Sequence, residues 1–203
     1  MAGARDRRRR AAEAVGRLLD AVLPPEARRD PEVARTPARV AEALDGELLD
    51  GYRRDPARIL AGGMPHRGRD LVAVSGIDFH AVCPHHLLPY RGTATVAYVP
   101  GGRVVGFGAL ARLVDCFAHR LALEEGVALD VAEALVAHLG ARGAACVLEA
   151  EQLCLTVRGE RRREARAHAQ AFAGTMARDR ALQRRVLDLA RGAPSRRRAG
   201  RWA

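Results

Sequence analysis

The stretch Cys83-Pro84-His85-His86-Leu87-Leu88-Pro89-Tyr90 places a cysteine and a histidine three residues apart, just before apolar residues. A second cysteine, Cys154, follows far downstream. Cys83, His86 and Cys154 together would form a ligand set of two cysteines and one histidine, which leaves the fourth tetrahedral position of a zinc ion open to water. This pattern is typical of catalytic zinc sites and predicts Zn²⁺ as the cofactor. His85 adds an acid–base group beside the ligands, because histidine titrates close to neutral pH.

Two simpler interpretations compete with a catalytic zinc site. Free cysteine is among the residue types most often buried, so both cysteines could be thiols of the core. A structural zinc site would be closed by a fourth protein ligand, for which His85 is the nearest candidate. The fourth position of the metal therefore distinguishes a catalytic site from a structural one.

Length and composition indicate a globular protein. The chain has 203 residues, of which 48% are hydrophobic, enough for one domain with a substantial core. No run of about 18 apolar residues occurs, so we expect no membrane span. No hydrophobic stretch follows the N-terminal arginines, so we expect no secretory signal. Four cysteines without a regular spacing fit reduced thiols and predict a cytoplasmic protein.

The net charge of +10 raises the question of a nucleic-acid partner. The arginines concentrate at the two ends of the chain, in residues 5–10 and 196–201, and charge runs at termini are typical of solvated tails. The sequence between the ends contains no helix-turn-helix, aromatic RNA-binding or zinc-finger motif. We therefore do not expect nucleic acid as the partner, whereas an anionic small molecule would also favour a basic pocket.

Hydrophobic periodicity predicts an order of elements along the chain. It divides the chain into a disordered basic tail (1–11), a helical extension (12–70), a main domain (71–192) and a second disordered basic tail (193–203). The predicted elements of the main domain are a strand over 71–79, a hairpin of 93–99 with 103–107, helices over 110–123 and 129–138, strands over 144–150 and 153–157, an irregular segment over 160–173 and a helix over 175–189. Cys154 would then lie on a strand.

Six blocks carry a resemblance to a known family. They are Thr36-Pro37-Ala38-Arg39-Val40-Ala41, Cys83-Pro84-His85-His86-Leu87-Leu88-Pro89-Tyr90-Arg91-Gly92, Val96-Ala97-Tyr98-Val99-Pro100, Leu110-Ala111-Arg112-Leu113-Val114-Asp115, Glu149-Ala150-Glu151-Gln152-Leu153-Cys154 and Arg158-Gly159. In this order they resemble the type I GTP cyclohydrolases. The resemblance implies an α+β tunnelling fold, an antiparallel four-stranded sheet with two helices, to which N-terminal helices are added. It also implies a homo-oligomeric barrel, commonly a decamer, with active sites between subunits.

The resemblance further implies a reaction and its residues. In the family, zinc-bound water attacks C8 of GTP, formate leaves, and the ribose is rearranged to give dihydroneopterin triphosphate. The family's zinc ligands match Cys83, His86 and Cys154, and its proton-handling histidine matches His85. Glu125 matches the carboxylate that binds guanine, where an acceptor pairs with a ring N–H and an amine together. Three arginines match triphosphate-binding residues, with surface ion pairs as the alternative: Arg39, Arg112 and Arg158.

The sequence departs from the family mainly around this site. Gln152 stands where the family has a second catalytic histidine, and glutamine orients a water or a hydroxyl but exchanges no proton near pH 7. Glu124 replaces the glutamine that precedes the guanine-binding glutamate. The remaining departures are Pro84 for a glutamate, Gly108-Ala109 for serine-lysine, Glu42 for a lysine, and an arginine-rich stretch over 160–170 for one rich in threonine and serine.

These observations predict a zinc-dependent hydrolase that opens GTP or a related purine nucleotide at C8. Loss of function by drift would change ligands and pocket alike, so the retained ligands indicate that ring opening survives. The change at Gln152 puts the later formation of the pterin in question. The alternatives are a homologue with a different substrate in specialised metabolism and a non-catalytic, zinc-binding oligomer.

Overall fold

The computed structural model describes residues 2–192, and the chain falls into two compact units, Met1–Asp50 and Gly51–Ala203. The predicted basic tail over residues 193–203 lies outside the described residues. The division predicted at residue 71 stays a prediction.

The N-terminal unit is built from helices. They are α1 (Ala2–Val22), α2 (Pro25–Arg28), α3 (Pro31–Ala34) and α4 (Thr36–Ala43), and α4 continues as a π-helical turn over Leu44–Leu48. Helices α1 and α4 pack against each other. The helical character predicted for residues 12–70 is therefore present in this unit, where two short helices lie between α1 and α4.

The predicted disordered tail over residues 1–11 is helical from residue 2 onward. Four of its five arginines, Arg7 to Arg10, form ion pairs with carboxylates of the same unit. Arg7 and Arg8 donate through Nε to the two carboxylate oxygens of Asp45, at 3.0 and 2.9 Å. A sequence pattern cannot register this pairing, since Asp45 lies more than thirty residues away along the chain.

The second unit combines helices with a four-stranded antiparallel sheet. In spatial order the sheet contains β2 (Val72–Val82), β3 (Pro89–Val99), β5 (Gly143–Gln152) and β6 (Ala167–Gly174). A separate two-stranded ladder pairs β1 (Met64–Pro65) with β4 (Arg103–Val104). The helices are α5 (Pro56–Leu60), α6 (Phe107–Ala118), α7 (Glu124–Ala134), α8 (Leu153–Thr156) and α9 (Arg180–Gly192). Further short turns are 3₁₀-helical over Asp50–Arg53 and Thr175–Ala177 and π-helical over Leu135–Leu139.

The two faces of the sheet have different covers. Because side chains alternate along a strand, Val96 and Tyr98 point into the main core while Ala97 belongs to a second, smaller cluster. The main core contains residues of α6 and α7, among them Leu113 and Val131. The smaller cluster includes Val186 of α9. The predicted α+β class, with an antiparallel four-stranded sheet and two packed helices, is confirmed.

Three predicted elements of the second unit are wrong. Residues 103–107 form no hairpin with 93–99, because both edges of β3 are already paired with β2 and β5. Residues 153–156 form helix α8, so Cys154 lies on a helical turn rather than a strand. The segment predicted as irregular contains β6, whose alanine-rich sequence gives a weak strand signal and whose pairing with β5 decides its conformation.

The helices described between residues 2 and 192 include none with both the length and the apolar character required to cross a bilayer.

Candidate metal centre and active site

A tight turn joins β2 to β3 and carries the Cys-x-x-His motif. The N–H of Cys83 donates to the carbonyl of Leu88, and the N–H of Leu87 donates to the carbonyl of Cys83, both at 2.9 Å. Leu87 closes the turn with a φ of 54°, in the left-handed region that is uncommon for residues other than glycine. The turn buries Cys83 and leaves His85 and His86 exposed on its outer side.

The three predicted ligands come together at this turn. Their ligand atoms, one each from Cys83, His86 and Cys154, lie within 4.8 Å of one another, and Sγ of Cys83 is 3.8 Å from Nδ1 of His86. The register of the sheet explains the convergence, because Tyr90 at the start of β3 pairs with Gln152 at the end of β5. The turn before β3 and the helix after β5 therefore meet at one end of the sheet.

The donor set fits a zinc ion. Burial raises the pKa of the Cys154 thiol, and the neighbouring Cys83 raises it further. Two thiolates at this separation repel each other, and a divalent cation between them removes that penalty. Cysteine sulfur and histidine nitrogen are also the donors that zinc prefers.

Tyr90 connects the start of α7 to the turn of residues 83–88, here called the metal turn. Its hydroxyl donates to the carbonyl of Ala122 at 2.9 Å, and the N–H of Ala122 donates to the carbonyl of Val82 at 3.2 Å. Burial raises the pKa of Tyr90, and the charge of Glu124 adds to this. The phenol is therefore a hydrogen-bond donor over the whole working pH range. These bonds bring the first turn of α7 beside Cys83.

The first turn of α7 holds two adjacent glutamates in different environments. Glu125 is exposed, whereas Glu124 is only 3% exposed. Nε2 of Gln152 donates to Oε2 of Glu124 at 2.8 Å, while Oε1 of Glu124 is buried and has no partner within residues 2–192. Sequence reasoning did not predict this pair. The available signal was that residues 124 and 152 both depart from the family.

Burial raises the pKa of Glu124; the hydrogen bond from Gln152 opposes this shift, and Glu125 adds to it. As the pH rises above the ordinary pKa of glutamate, about 4.3, the unfolded chain releases a proton that the folded chain retains, so stability falls. We expect Glu124→Gln to remove this loss and to raise the melting temperature by about 3 °C at pH 8.

The advantage of Glu124→Gln should shrink as the pH falls below about 4, where glutamate becomes protonated in both states. Thermal unfolding of the metal-free protein at several pH values measures the difference. Glu133→Gln, on the exposed face of the same helix, is the matched control. A melting temperature that falls at pH 8 would contradict the expected cost of burying the Glu124 carboxylate.

The three predicted phosphate-binding arginines lie on different elements: Arg39 on α4, Arg112 on α6 and Arg158 after α8. Arg112 is exposed on α6, and Arg158 is exposed after α8. The charge of Arg158 lowers the pKa of Cys154, which places it within electrostatic reach of the ligand set. Arg39 belongs to the N-terminal unit, where it lies 3.9 Å from exposed Glu32. Arg39 therefore forms a surface ion pair with Glu32, which is the alternative to phosphate binding.

The arginine-rich stretch after α8 lines a cavity of about 460 Å³ with Glu151, Thr156, Val157, Arg161 and Arg163. Among the described residues, the guanidinium groups of Arg161 and Arg163 have no ion pair, whereas Arg162 pairs with Glu160 at 3.2 Å. The cavity therefore presents unpaired positive charge next to the strand that ends at Gln152.

The chain thus has an α+β fold in which two cysteines and a histidine at one end of the sheet could hold a metal ion, as in metal-dependent hydrolases. Comparison with known proteins identifies the family. The family model described as GTP cyclohydrolase I matches residues 11–191. The GTP cyclohydrolase 1 of Ralstonia nicotianae is 51% identical over 140 residues, which cover 69% of this chain and 67% of that protein. The GTP cyclohydrolase 1 of Mycobacteroides abscessus is 40% identical over 185 residues, which cover 89% and 88%.

The chain belongs to the GTP cyclohydrolase I family, a family of hydrolases, and the resemblance predicted from the sequence is confirmed. Among solved structures, the archaeosine synthase QueF-Like in the apo form aligns with a TM-score of 0.44 at 19% identity, over 53% of this chain and 97% of that one.

Proposed function

We propose that this protein is a zinc-dependent hydrolase that opens the imidazole ring of GTP, or of a related purine nucleotide, at C8. The observation that carries the proposal is the convergence of Cys83, His86 and Cys154 within 4.8 Å, from two segments about seventy residues apart. Family membership supports the same reaction type, because the relatives are named GTP cyclohydrolase 1.

Cys83, His86 and Cys154 would hold the zinc ion. When bound, zinc acts as a Lewis acid and makes a water molecule nucleophilic at neutral pH. Within residues 2–192 the ligand group has three members, and His85 is not among them. This supports a catalytic site over a structural one, because a structural site would be closed by a fourth protein ligand.

His85 is the proposed proton carrier. It lies on the same turn as His86, with ring centroids 6.1 Å apart and ring planes at 79°. The exposed imidazole is close to the ligand set without belonging to it. It would accept a proton as the ring carbon is attacked and donate one to the departing nitrogen.

Glu125 and the arginines would bind the nucleotide. The exposed Glu125 carboxylate, next to the metal turn, accepts hydrogen bonds from a guanine ring N–H and amine together. Arg112 and Arg158 would bind phosphate oxygens, and Arg39 would do so from whichever subunit brings it to the site. The unpaired arginines of the cavity beside α8 offer a further anion contact.

We further propose a cytoplasmic homo-oligomer with sites between subunits. Three leucines around the metal turn and before α7 are exposed: Leu87 at 65%, Leu121 at 38% and Leu123 at 49%. Exposed apolar groups of this kind mark surfaces that a partner covers. The strands β2 and β6 are the edges of the four-stranded sheet, and a second copy would satisfy their unpaired backbone groups. All four cysteines are free, as expected in a reducing compartment.

Gln152 affects which product the reaction gives. The amide of Gln152 is bonded to Glu124, and an amide exchanges no proton near neutral pH. This favours a reaction that stops at a ring-opened product, or a substrate other than GTP, over complete conversion to the pterin.

The test is incubation of the zinc-loaded protein with GTP, with loss of the purine absorbance, formate release and the fluorescence of oxidised neopterin followed separately. We expect ring opening, with or without formate, and no neopterin. Formate and neopterin together would mean that another group replaces the missing histidine. An unchanged purine absorbance, with zinc still bound, would reject GTP and call for a screen of purine nucleotides and nucleosides. The same incubation with metal-free protein is the control.

A further inference from the structure

Glu124 and Gln152 form a bonded pair beside the ligand set. Gln152 ends β5, immediately before the helix that carries Cys154, and Glu124 begins α7, which packs on β5. The 2.8 Å bond from Nε2 of Gln152 to Oε2 of Glu124 joins the two elements at this end of the sheet. Gln152 is half-buried, whereas Glu124 is almost fully buried.

The bond determines how the Gln152 amide is turned. The amide nitrogen and oxygen are on opposite arms of one planar group, so a nitrogen directed at Glu124 turns the oxygen away from it. Oε2 of Glu124 accepts this bond, so the carboxyl group faces the amide nitrogen of Gln152 and not its oxygen. Within residues 2–192, the carbonyl oxygen of Gln152 accepts no hydrogen bond. It is therefore an available acceptor two residues before Cys154.

The buried carboxyl group of Glu124 costs stability. Its Oε1 atom is buried without a partner in the described part of the chain, and such a group is destabilising. An apolar side chain of similar size would fill the position without this penalty. Burial raises the pKa of Glu124 and outweighs the side-chain bond from Gln152 and the backbone of Ala169, which both oppose the shift.

We propose that Glu124 is a positioning residue. It fixes the amide of Gln152 with the carbonyl oxygen facing the substrate, as the acceptor for a hydroxyl or N–H group of a purine nucleotide. The inference rests on the proposed function. It places at residue 152, where the family has a histidine, a hydrogen-bond acceptor that exchanges no proton near neutral pH.

A double-mutant cycle on the ring opening of GTP, followed by the loss of its purine absorbance, tests the proposal. Glu124→Met removes the acceptor and Gln152→Met removes the amide, each with little change in side-chain size. We expect Glu124→Met to lower kcat/KM about tenfold when Gln152 is present, and less than about twofold when residue 152 is already methionine. Glu124→Gln keeps a carbonyl acceptor at the same place and should retain activity to within about threefold of the unmutated enzyme.

Glu133→Met, on the exposed face of α7, is the control and should change neither rate nor stability. An equal loss on Glu124→Met in both backgrounds would mean that Glu124 supports the fold alone, and this would overturn the inference. No loss in the Gln152 background would overturn it as well. No ring opening by the unmutated protein would overturn the proposed function and, with it, this inference, so the two failures differ in the first measurement of the cycle.

Discussion

Cys154→Ala is expected to abolish zinc binding and to lower formate release from GTP by at least about a thousandfold, which corresponds to roughly 4 kcal/mol of lost stabilisation of the transition state. The reason is the small number of protein ligands. Among the described residues, Cys83 and His86 alone would remain, and they lie on one turn. Bound zinc, measured by elemental analysis after dialysis, should fall from about one ion per chain to nearly none.

The matched control is Cys146→Ala, a change of the same kind on the strand that leads to Cys154. Cys146 is fully buried in the core and lies outside the ligand group. Its replacement should cost about 1 kcal/mol of stability through a small cavity and leave zinc binding intact. If the Cys154 variant bound zinc as well as this control, the proposed ligand set would be wrong.

Gly92→Ala is expected to lower the free energy of unfolding by about 3 kcal/mol and to reduce zinc binding. Gly92 lies on β3 between Phe79 of β2 and Ala150 of β5. A Cβ atom at this position would overlap the carbonyl oxygen of Glu149 and lie 2.8 Å from the Cα atom of Ala150. The contacting atoms are backbone, so only a shift of β5 relieves the overlap.

That shift would occur two residues before Gln152, so we expect it to displace Cys154 from Cys83. Chemical unfolding, with zinc content measured on the same samples, checks both effects. Gly126→Ala is the control, because a Cβ at Gly126 in α7 meets no atom within 4 Å. It should stabilise the protein by about 0.5–1 kcal/mol, as alanine is the better helix former. A Gly92 variant as stable as the parent would show that β5 moves more freely than its pairing indicates.

Much of the fold and of the candidate site could be predicted from the sequence. The spacing of Cys83 and His86 places both on one turn, and that relation is local. The periodicities of α6 and α7 come from residues that must face a core, so they too are visible in the sequence. The predicted start of α7 differs from the structure, in which the helix begins at Glu124 rather than near residue 129. Local patterns predict that an element exists better than they predict where it ends.

The role of each site residue remains a prediction. The structure brings the three cysteine and histidine ligands together and leaves His85 and Glu125 exposed nearby. The predicted arginines lie on different elements, and Arg39 belongs to a separate compact unit. Convergence of such groups depends on contacts between distant segments, and no spacing along the chain encodes those contacts.

The sequence by itself determined the family, the donor types of the metal site and the α+β class, because each depends on residue identity or on periodicity within one segment. Only the tertiary structure decided which strands pair, that Cys154 lies on a helical turn, and that Glu124 binds Gln152. These features depend on the register of β3 with β5, where Tyr90 meets Gln152. Register is a relation between distant segments, and the packing of the whole sheet selects it.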